Sequence, residues 1–313
     1  MCISLLITCR TRGLPVGEYL GAGIAPVVEK MILYGAGEGN VLPLTSVCNV
    51  RCVFCSHRNN PPGVEVYRIP PRSLEDVERT LCVLDPVKPI VVGESATRII
   101  EGEPFTHPAL EEILRMIRSS FPRTAIQITT NGSLLNQEKV ELLESLGNVV
   151  IYLSLNSARV KGREILMSDP RGLQAIQSAA LLQKHGVPFH GSVVALPHLV
   201  GWRDLKETIK YLCDCGAETV RVFLPGFSSL AGSELQFEPS LWKEVNAFIS
   251  RLREDVRTPI TCEPPLIEGL EPRVAGVIAA SPVDLAGIRA GDVIEAVNSS
   301  SVHTRVQAFR QIL

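Results

Sequence analysis

The sequence predicts an α/β fold built on a parallel sheet. Three observations carry that expectation. From residue 41 onward, β-rich apolar runs alternate with longer segments of helical period. The runs are short and nearly continuous, as in Val149-Val150-Ile151-Tyr152-Leu153, which suits strands buried on both faces. Helix punctuation falls where the segments end: Asn136 precedes Gln137-Glu138 as an N-cap with acid in the first turn, and Lys184-His185-Gly186 closes a helix with cations and a glycine.

In chain order the expected strands are Val41–Ser46, Lys88–Gly93, Thr124–Thr130, Val149–Leu155, Val187–Leu196 and Thr219–Leu224. Helical patterns fall near Ser73–Leu84, Pro108–Ser119, Asn136–Leu146, Gly172–His185, Trp202–Cys215 and Pro239–Glu254. Strands alternating with helices imply right-handed crossovers. Six such units allow either an open, partial barrel or a doubly wound sheet. Pro-rich Thr258-Pro259 and Glu263-Pro264-Pro265 mark a connector. The expected division is an N-terminal extension over 1–40, a core domain over 41–260 and a small segment over 267–313.

Composition narrows the classes. A chain of 313 residues with 45% apolar content can bury a large core, and a net charge of −2 gives no global basic field for nucleic acid. No run of about 18 apolar residues exists to span a membrane. The apolar start, Met1 to Arg10, lacks a basic n-region and an Ala-x-Ala site, so it does not read as a signal peptide. Nine cysteines in no even framework suit reduced thiols, and the expected location is cytoplasmic.

Three of those cysteines, Cys48, Cys52 and Cys55, lie on the loop leaving the first expected strand. Three thiolates on one loop can hold three irons of a [4Fe–4S] cube, leaving the fourth open to a small chelating molecule. A zinc site recruiting His57 is the alternative, although structural zinc usually takes two separated ligand pairs. Three thiols on one loop leave an odd one, which argues against disulfides. Cys213 and Cys215 point apart on a helix, and Cys2, Cys9, Cys82 and Cys262 are scattered, so these read as inert thiols.

Cys-x3-Cys-x2-Cys with Phe54 before the last cysteine closely resembles the signature of radical S-adenosylmethionine (radical SAM) enzymes. The resemblance spans roughly residues 41 to 260 and implies a partial (β/α)6 TIM-like barrel with its chemistry on loops at the strands' C-terminal ends. It implies a [4Fe–4S] cluster on the three cysteines, with Phe54 near the adenine of SAM. Glu101-Gly102-Glu103-Pro104, after the second strand, resembles the family's Gly-Gly-Glu-Pro with Glu101 in place of the first glycine. In the family, backbone groups of this segment hold the amino group of the SAM methionine moiety, which assigns Gly102 and Glu103 to the cofactor. Thr130-Asn131-Gly132 ends the third strand as a turn signal, and similar residues line the family's cavity near substrate or cofactor. Ser154 and Asn156, two apart, are expected on one face of the fourth strand. The resemblance gives them the SAM carboxylate or ribose. Arg221 is expected to snorkel, pair with an acid, or face the cavity toward an anionic substrate, and His198 is expected on the same rim.

Beyond the connector, Ser281-Pro282, Ala286-Gly287-Ile288, Gly291-Asp292-Val293-Ile294 and Val297-Asn298 resemble bacterial PDZ domains, with Thr304 to Leu313 as the helix beside a peptide groove. About 45 residues is near the limit for independent folding, and further strands are expected for a complete domain. The β-rich tail therefore suggests a protein or peptide partner bound by strand addition. The functional expectation is a radical SAM enzyme fed by an external electron donor such as a reductase, flavodoxin or ferredoxin. The other expectation is a non-catalytic iron–sulfur or zinc scaffold whose tail recruits partners.

Overall fold

The computed structural model describes residues 26–55, 66–226, 232–266 and 269–312. Its sheet is laid down in chain order. The strands are β1 (Ile90–Val92), β2 (Ile126–Thr130), β3 (Val149–Ser154), β4 (Phe189–Val194), β5 (Val220–Phe223) and β6 (Ile260–Glu263), paired in that order and all parallel. A doubly wound sheet reverses its order at a switch point. This one does not reverse, and the order is that of a partial barrel.

Helices cover one face. They are α1 (Pro26–Gly39), α2 (Leu74–Leu81), α3 (Leu110–Ser120), α4 (Gln137–Leu146), α5 (Val160–Met167), α6 (Gly172–Lys184), α7 (Pro197–Val200), α8 (Trp202–Asp214) and α9 (Ser240–Asp255). Ser73 caps α2 by accepting from Asp76 N–H at 3.2 Å, and Asn136 caps α4 by accepting from Lys139 N–H at 3.0 Å. Strand residues such as Ile126, Ile128, Ile151, Leu153, Val220 and Val222 join helix residues Ile113, Ile117, Leu143 and Leu212 in one core. Truncating such a side chain to Ala costs about 2–5 kcal/mol.

The opposite face is not the apolar surface expected from the strand sequences. Gln127, Thr129, Tyr152, Ser154, His190, Ser192, Arg221, Thr261 and Glu263 alternate with the core residues and are half-buried. The strands are thus shut from water on one face only, and the other face mixes these polar residues with the half-buried Val91, Val150, Val194 and Phe223.

Two expected elements change. Val41–Ser46 is extended and begins beside β1, with Leu42 N–H donating to Val91 O at 2.8 Å. It then turns away: Ser46 N–H donates to Ile69 O and Leu44 O accepts from Arg72 N–H, both at 3.0 Å, so no strand of the sheet forms there. The connector from Thr258 to Pro265 contains β6, which pairs with β5 from Val220↔Ile260 to Phe223↔Glu263. Helices α1, α5 and α7 were not expected. Among the described residues no helix is long and apolar enough to cross a membrane.

The tail holds α10 (Pro282–Leu285), β7 (Ala296–Val297), β8 (Ser300–Ser301) and α11 (Arg305–Ile312). β7 and β8 form an antiparallel hairpin, and Arg273 bridges Val293. Leu270 O receives the Arg305 N–H at 2.7 Å, which closes the segment on itself.

Candidate functional site

The cysteine loop is stitched to three parts of the rim. Gly102 N–H donates to Thr45 O at 2.7 Å, and Glu103 N–H to Val47 O at 2.8 Å. A Cβ on Gly102 would lie 2.0 Å from Val47 O, so only glycine lets the two segments approach this closely. On the other side Arg51 N–H donates to Met167 O at 2.7 Å and Val53 N–H to Leu166 O at 2.9 Å. Between them Asn131 Nδ2 donates to Asn49 Oδ1 at 2.9 Å. The Ser46 hydroxyl, at the loop's start, accepts from Ile69 N–H at 2.9 Å and donates to Ile100 O.

Cys48, Cys52 and Cys55 open onto one cavity of about 430 Å³, whose wall also includes Ser46, Val50, Arg68 and Glu101. None of the three is in a disulfide. Burial pushes the Cys52 thiol up to about 12, with Cys48 and Cys55 adding repulsion and Arg163 opposing it. Burial also raises Cys48. Such thiols lose their protons when they bind metal. Among the described residues no three acidic, histidine or cysteine side chains gather tightly enough for one ion. A cube asks less, because each thiolate takes its own iron. The zinc alternative needed His57, which lies outside the described residues.

Glu103 is 2% exposed. Its Oε1 accepts from the Thr130 hydroxyl at 2.7 Å and Phe105 N–H at 3.2 Å, and Oε2 from Asn131 N–H at 2.7 Å. Burial raises this carboxyl and those three donors pull it back. Glu103 therefore fixes the Thr130-Asn131-Gly132 turn to the segment after β1. Thr130 and Asn131 are buried in this network instead of standing open to the cavity. Gly132 takes φ +77°, and a Cβ there would meet Leu153 Cδ1 at 2.7 Å. Phe54 packs with Val50, Leu166, Met167 and Leu196.

Ser154 ends β3 on the polar face, opposite Ser192. Asn156 does not share that face. The strand stops at Ser154, and Asn156 adopts φ +62°. Its Oδ1 accepts from Val194 N–H at 2.9 Å and its Nδ2 donates to Ser154 O at 3.2 Å, so it caps the rim. Arg221 makes a two-pronged pair with Glu263 at 2.7 and 2.8 Å and stacks on Phe223. That partner comes from β6. His198 is exposed and packs beside Phe237.

One participant had no visible signal. Arg163, on α5, is fully buried. It pairs with Asp169 at 2.6 and 2.7 Å, donates to Asn131 O at 2.9 Å and to Leu155 O, and approaches Ser133 Oγ at 3.3 Å. Ser133 in turn donates to Asp169 at 2.7 Å. One guanidinium thus ties α5, which carries the cysteine loop's backbone partners, to the ends of β2 and β3. In sequence it is an ordinary charged residue within Gly162-Arg163-Glu164.

The radical SAM superfamily model matches residues 42–212, more than half of the chain. The chain belongs to the radical SAM superfamily. It is 31% identical over 130 residues to a GTP 3′,8-cyclase of Aquifex aeolicus, covering 41% of this chain and 38% of that protein. It is 23% identical over 225 residues to an AdoMet-dependent heme synthase of Methanosarcina barkeri, covering 71% and 60%. Each match spans less than two thirds of the relative's length. Among solved structures, Streptococcus suis SuiB bound to precursor peptide SuiA aligns with a TM-score of 0.54 at 15% identity, covering 83% of this chain and 59% of that one. Native anSMEcpe with bound AdoMet aligns with a TM-score of 0.51 at 16% identity, covering 70% and 62%. At such identities the likeness is one of fold. The residues matched by the family model end at 212, before the tail.

Proposed function

We propose that the protein is a radical SAM enzyme that carries a [4Fe–4S] cluster on Cys48, Cys52 and Cys55 and binds S-adenosylmethionine beside it. The observation that carries this reading is the convergence of three loop cysteines on one cavity at the strands' C-terminal rim, with the backbone of Gly102 and Glu103 bonded to the same loop. The residues fit the group. The donor set is three thiols on one loop, the cavity is roomy, and the Gly102 approach leaves no space for a side chain. When bound, the cluster would supply the electron that breaks the C5′–S bond of SAM, giving methionine and a 5′-deoxyadenosyl radical able to take a hydrogen atom from substrate.

The chain's own residues bind and orient. Gly102 brings its backbone against the cysteine loop, and Glu103 with Thr130 holds the neighbouring turn in place. Phe54 offers an apolar surface on the cysteine loop for the adenine, and Ser154 offers a hydroxyl on the polar face for the ribose or carboxylate. Thr130, Asn131 and Asn156 serve by positioning. An external one-electron donor is required, since each reductive cleavage consumes an electron that a bound cluster passes on but does not generate. A cytoplasmic setting suits reduced thiols. The tail's Ser-Pro, Ala-Gly-Ile and Gly-Asp-Val-Ile pattern supports a PDZ-like segment with a protein or peptide partner.

The test is iron and acid-labile sulfide analysis of anaerobically purified protein, with reductive cleavage of SAM to 5′-deoxyadenosine. Four irons and four sulfides per chain with cleavage are expected. Stoichiometric zinc without sulfide replaces the enzyme reading with the scaffold reading.

A further inference from the structure

The cavity that holds the three cysteines is also charged, and part of that charge comes from outside the cysteine loop. Two arginines line the wall, Arg51 and Arg68, with Glu101 as the acid among the lining residues. Burial pushes the Glu101 carboxyl up to about 8, so at neutral pH it offsets little of the positive charge. Arg51 arrives with the cysteine loop itself. Arg68 is brought by a separate segment whose backbone is fixed on both sides. Tyr67 N–H donates to Arg98 O at 2.9 Å. Ile69 N–H donates to the Ser46 hydroxyl at 2.9 Å, and Ile69 O accepts from Ser46 N–H at 3.0 Å. Tyr67 and Ile69 turn their side chains into a small apolar cluster with Val28, Ile32 and Ile99. Successive side chains of an extended chain point to opposite sides, which leaves Arg68 facing the cavity of the cysteines. Its side chain is exposed and forms no ion pair among the described residues.

A [4Fe–4S] cube on three thiolates is an anion, and an electron accepted from a donor makes it more negative. The net charge around such a cluster is one of the factors that set its reduction potential. A fixed cation in the wall favours the reduced form, because it attracts the more negative state more strongly. Arginine suits that task, since it stays charged at every working pH. We infer that Arg68 is a charge-compensating residue that makes one-electron reduction of the cluster on Cys48, Cys52 and Cys55 easier. The inference rests on the functional reading above and adds to it a residue from outside the cysteine motif. The electron comes from the external donor, and no bond forms or breaks at Arg68.

The experiment is an anaerobic redox titration without SAM, followed by electron paramagnetic resonance. It compares full-length, cluster-loaded wild type with Arg68→Gln, Arg68→Glu and Arg68→Lys. Iron and sulfide content and equilibrium SAM binding are measured alongside. Every variant should keep wild-type cluster content. Arg68→Gln should cut the ratio of reduced to oxidised cluster at a fixed potential about threefold, the order of an exposed charge–charge interaction. That is a downward shift of about 28 mV, at about 59 mV per decade for one electron. Arg68→Glu should move the midpoint about as far again, and Arg68→Lys should stay near wild type. These differences should shrink between roughly 0.05 and 1 M salt, where exposed charges are screened. Equal midpoints in wild type, Arg68→Gln and Arg68→Glu overturn the assignment while leaving the enzyme reading intact. A shift in Arg68→Gln that Arg68→Lys shares overturns it in favour of a hydrogen-bonding or packing role. Weaker SAM binding with an unmoved midpoint overturns it in favour of a contact to SAM. Loss of the cluster in every variant overturns it in favour of a role in holding the cysteine loop. A wild-type protein that takes up zinc and shows no reducible cluster defeats the functional reading, and this inference with it.

Discussion

The barrel sheet and the tail keep water out to very different degrees. Along β2, Ile126 and Ile128 are fully buried, and the same holds for Ile151 and Leu153 on β3 and Val220 and Val222 on β5. Within residues 269–312 the buried apolar side chains are Pro272, Val302 and Ala308, while Leu270 is 62%, Leu285 80% and Phe309 63% exposed. The sheet region is held by apolar burial and can afford an open polar rim. The tail is held by turns and backbone hydrogen bonds. Damage at the rim should therefore register in the cofactor, damage beneath it in stability, and damage in the tail in neither.

The largest effect is expected at the cysteine loop. Cys52→Ala removes one of three thiolates and should abolish iron and sulfide incorporation, read by elemental analysis after anaerobic reconstitution. A variant that still takes up four irons would move the cluster off this loop.

This part of the molecule was legible because chemistry constrains it. Three thiols at fixed spacing and Gly102-Glu103-Pro104 are short and local, and the hydrogen bonds of Gly102 and Glu103 to the cysteine loop bring them together. Helices with caps at Ser73 and Asn136 were legible for the same reason: local hydrogen bonds mark their starts. What escaped depends on partners far away in the chain. Residues 41–46 have the composition of a strand, yet their hydrogen bonds go to residues 69–72 and 101–103 as much as to β1. β6 is four residues between Pro259 and Pro264, so its flanks read as punctuation although it completes the sheet. Its Glu263 is what turns Arg221 into half of an ion pair. Asn156 shows the limit of period-two counting, since one left-handed residue ends the alternation.

Arg163 tests the layer beneath the rim. Its pair with Asp169 is fully shut from water, so Arg163→Met leaves a buried carboxylate without its cation. About 3–5 kcal/mol of stability should be lost. Chemical denaturation reads this directly. A loss below about 1 kcal/mol would mean that the pair is dispensable and that α5 is held by packing alone.

Glu101 gives the comparison a pH axis. Its folded carboxyl titrates at about 8, above the ordinary value of 4.5. The folded state therefore binds this proton more tightly than the unfolded chain does. The stability this lends is full below about 4.5, declines as the pH climbs toward 8, and is gone above that. In cofactor-free protein, Glu101→Gln should raise the thermal midpoint relative to wild type by an amount that grows between pH 5 and pH 8.5. A constant difference across that range would show that Glu101 is not buried as a charge.

On the open polar face the effect should be smaller. Ser154→Ala removes a half-buried hydroxyl and should weaken SAM binding by about 1 kcal/mol with stability unchanged. Unchanged binding would place the ribose or carboxylate elsewhere on the rim.

The smallest effect is expected from removing the tail. A chain ending at Leu266 keeps β6, its pairing to β5 and every residue assigned to cluster or cofactor. The contact it loses is thin. Clefts of about 560 and 410 Å³ run between the tail and the edge formed by α9 and β6, and the close approach there is Gly276 against Pro259. Few buried side chains bridge such a gap, so domain-like independence is expected. Cluster content and SAM affinity should match the full chain, and the denaturation midpoint should move far less than for Arg163→Met. If the shortened chain loses its cluster or unfolds, the exposed tail is doing for β6 what the helices do for β2 to β5. The contrast between the two regions would then be one of degree, with the tail serving as the final cover of the barrel's last strand.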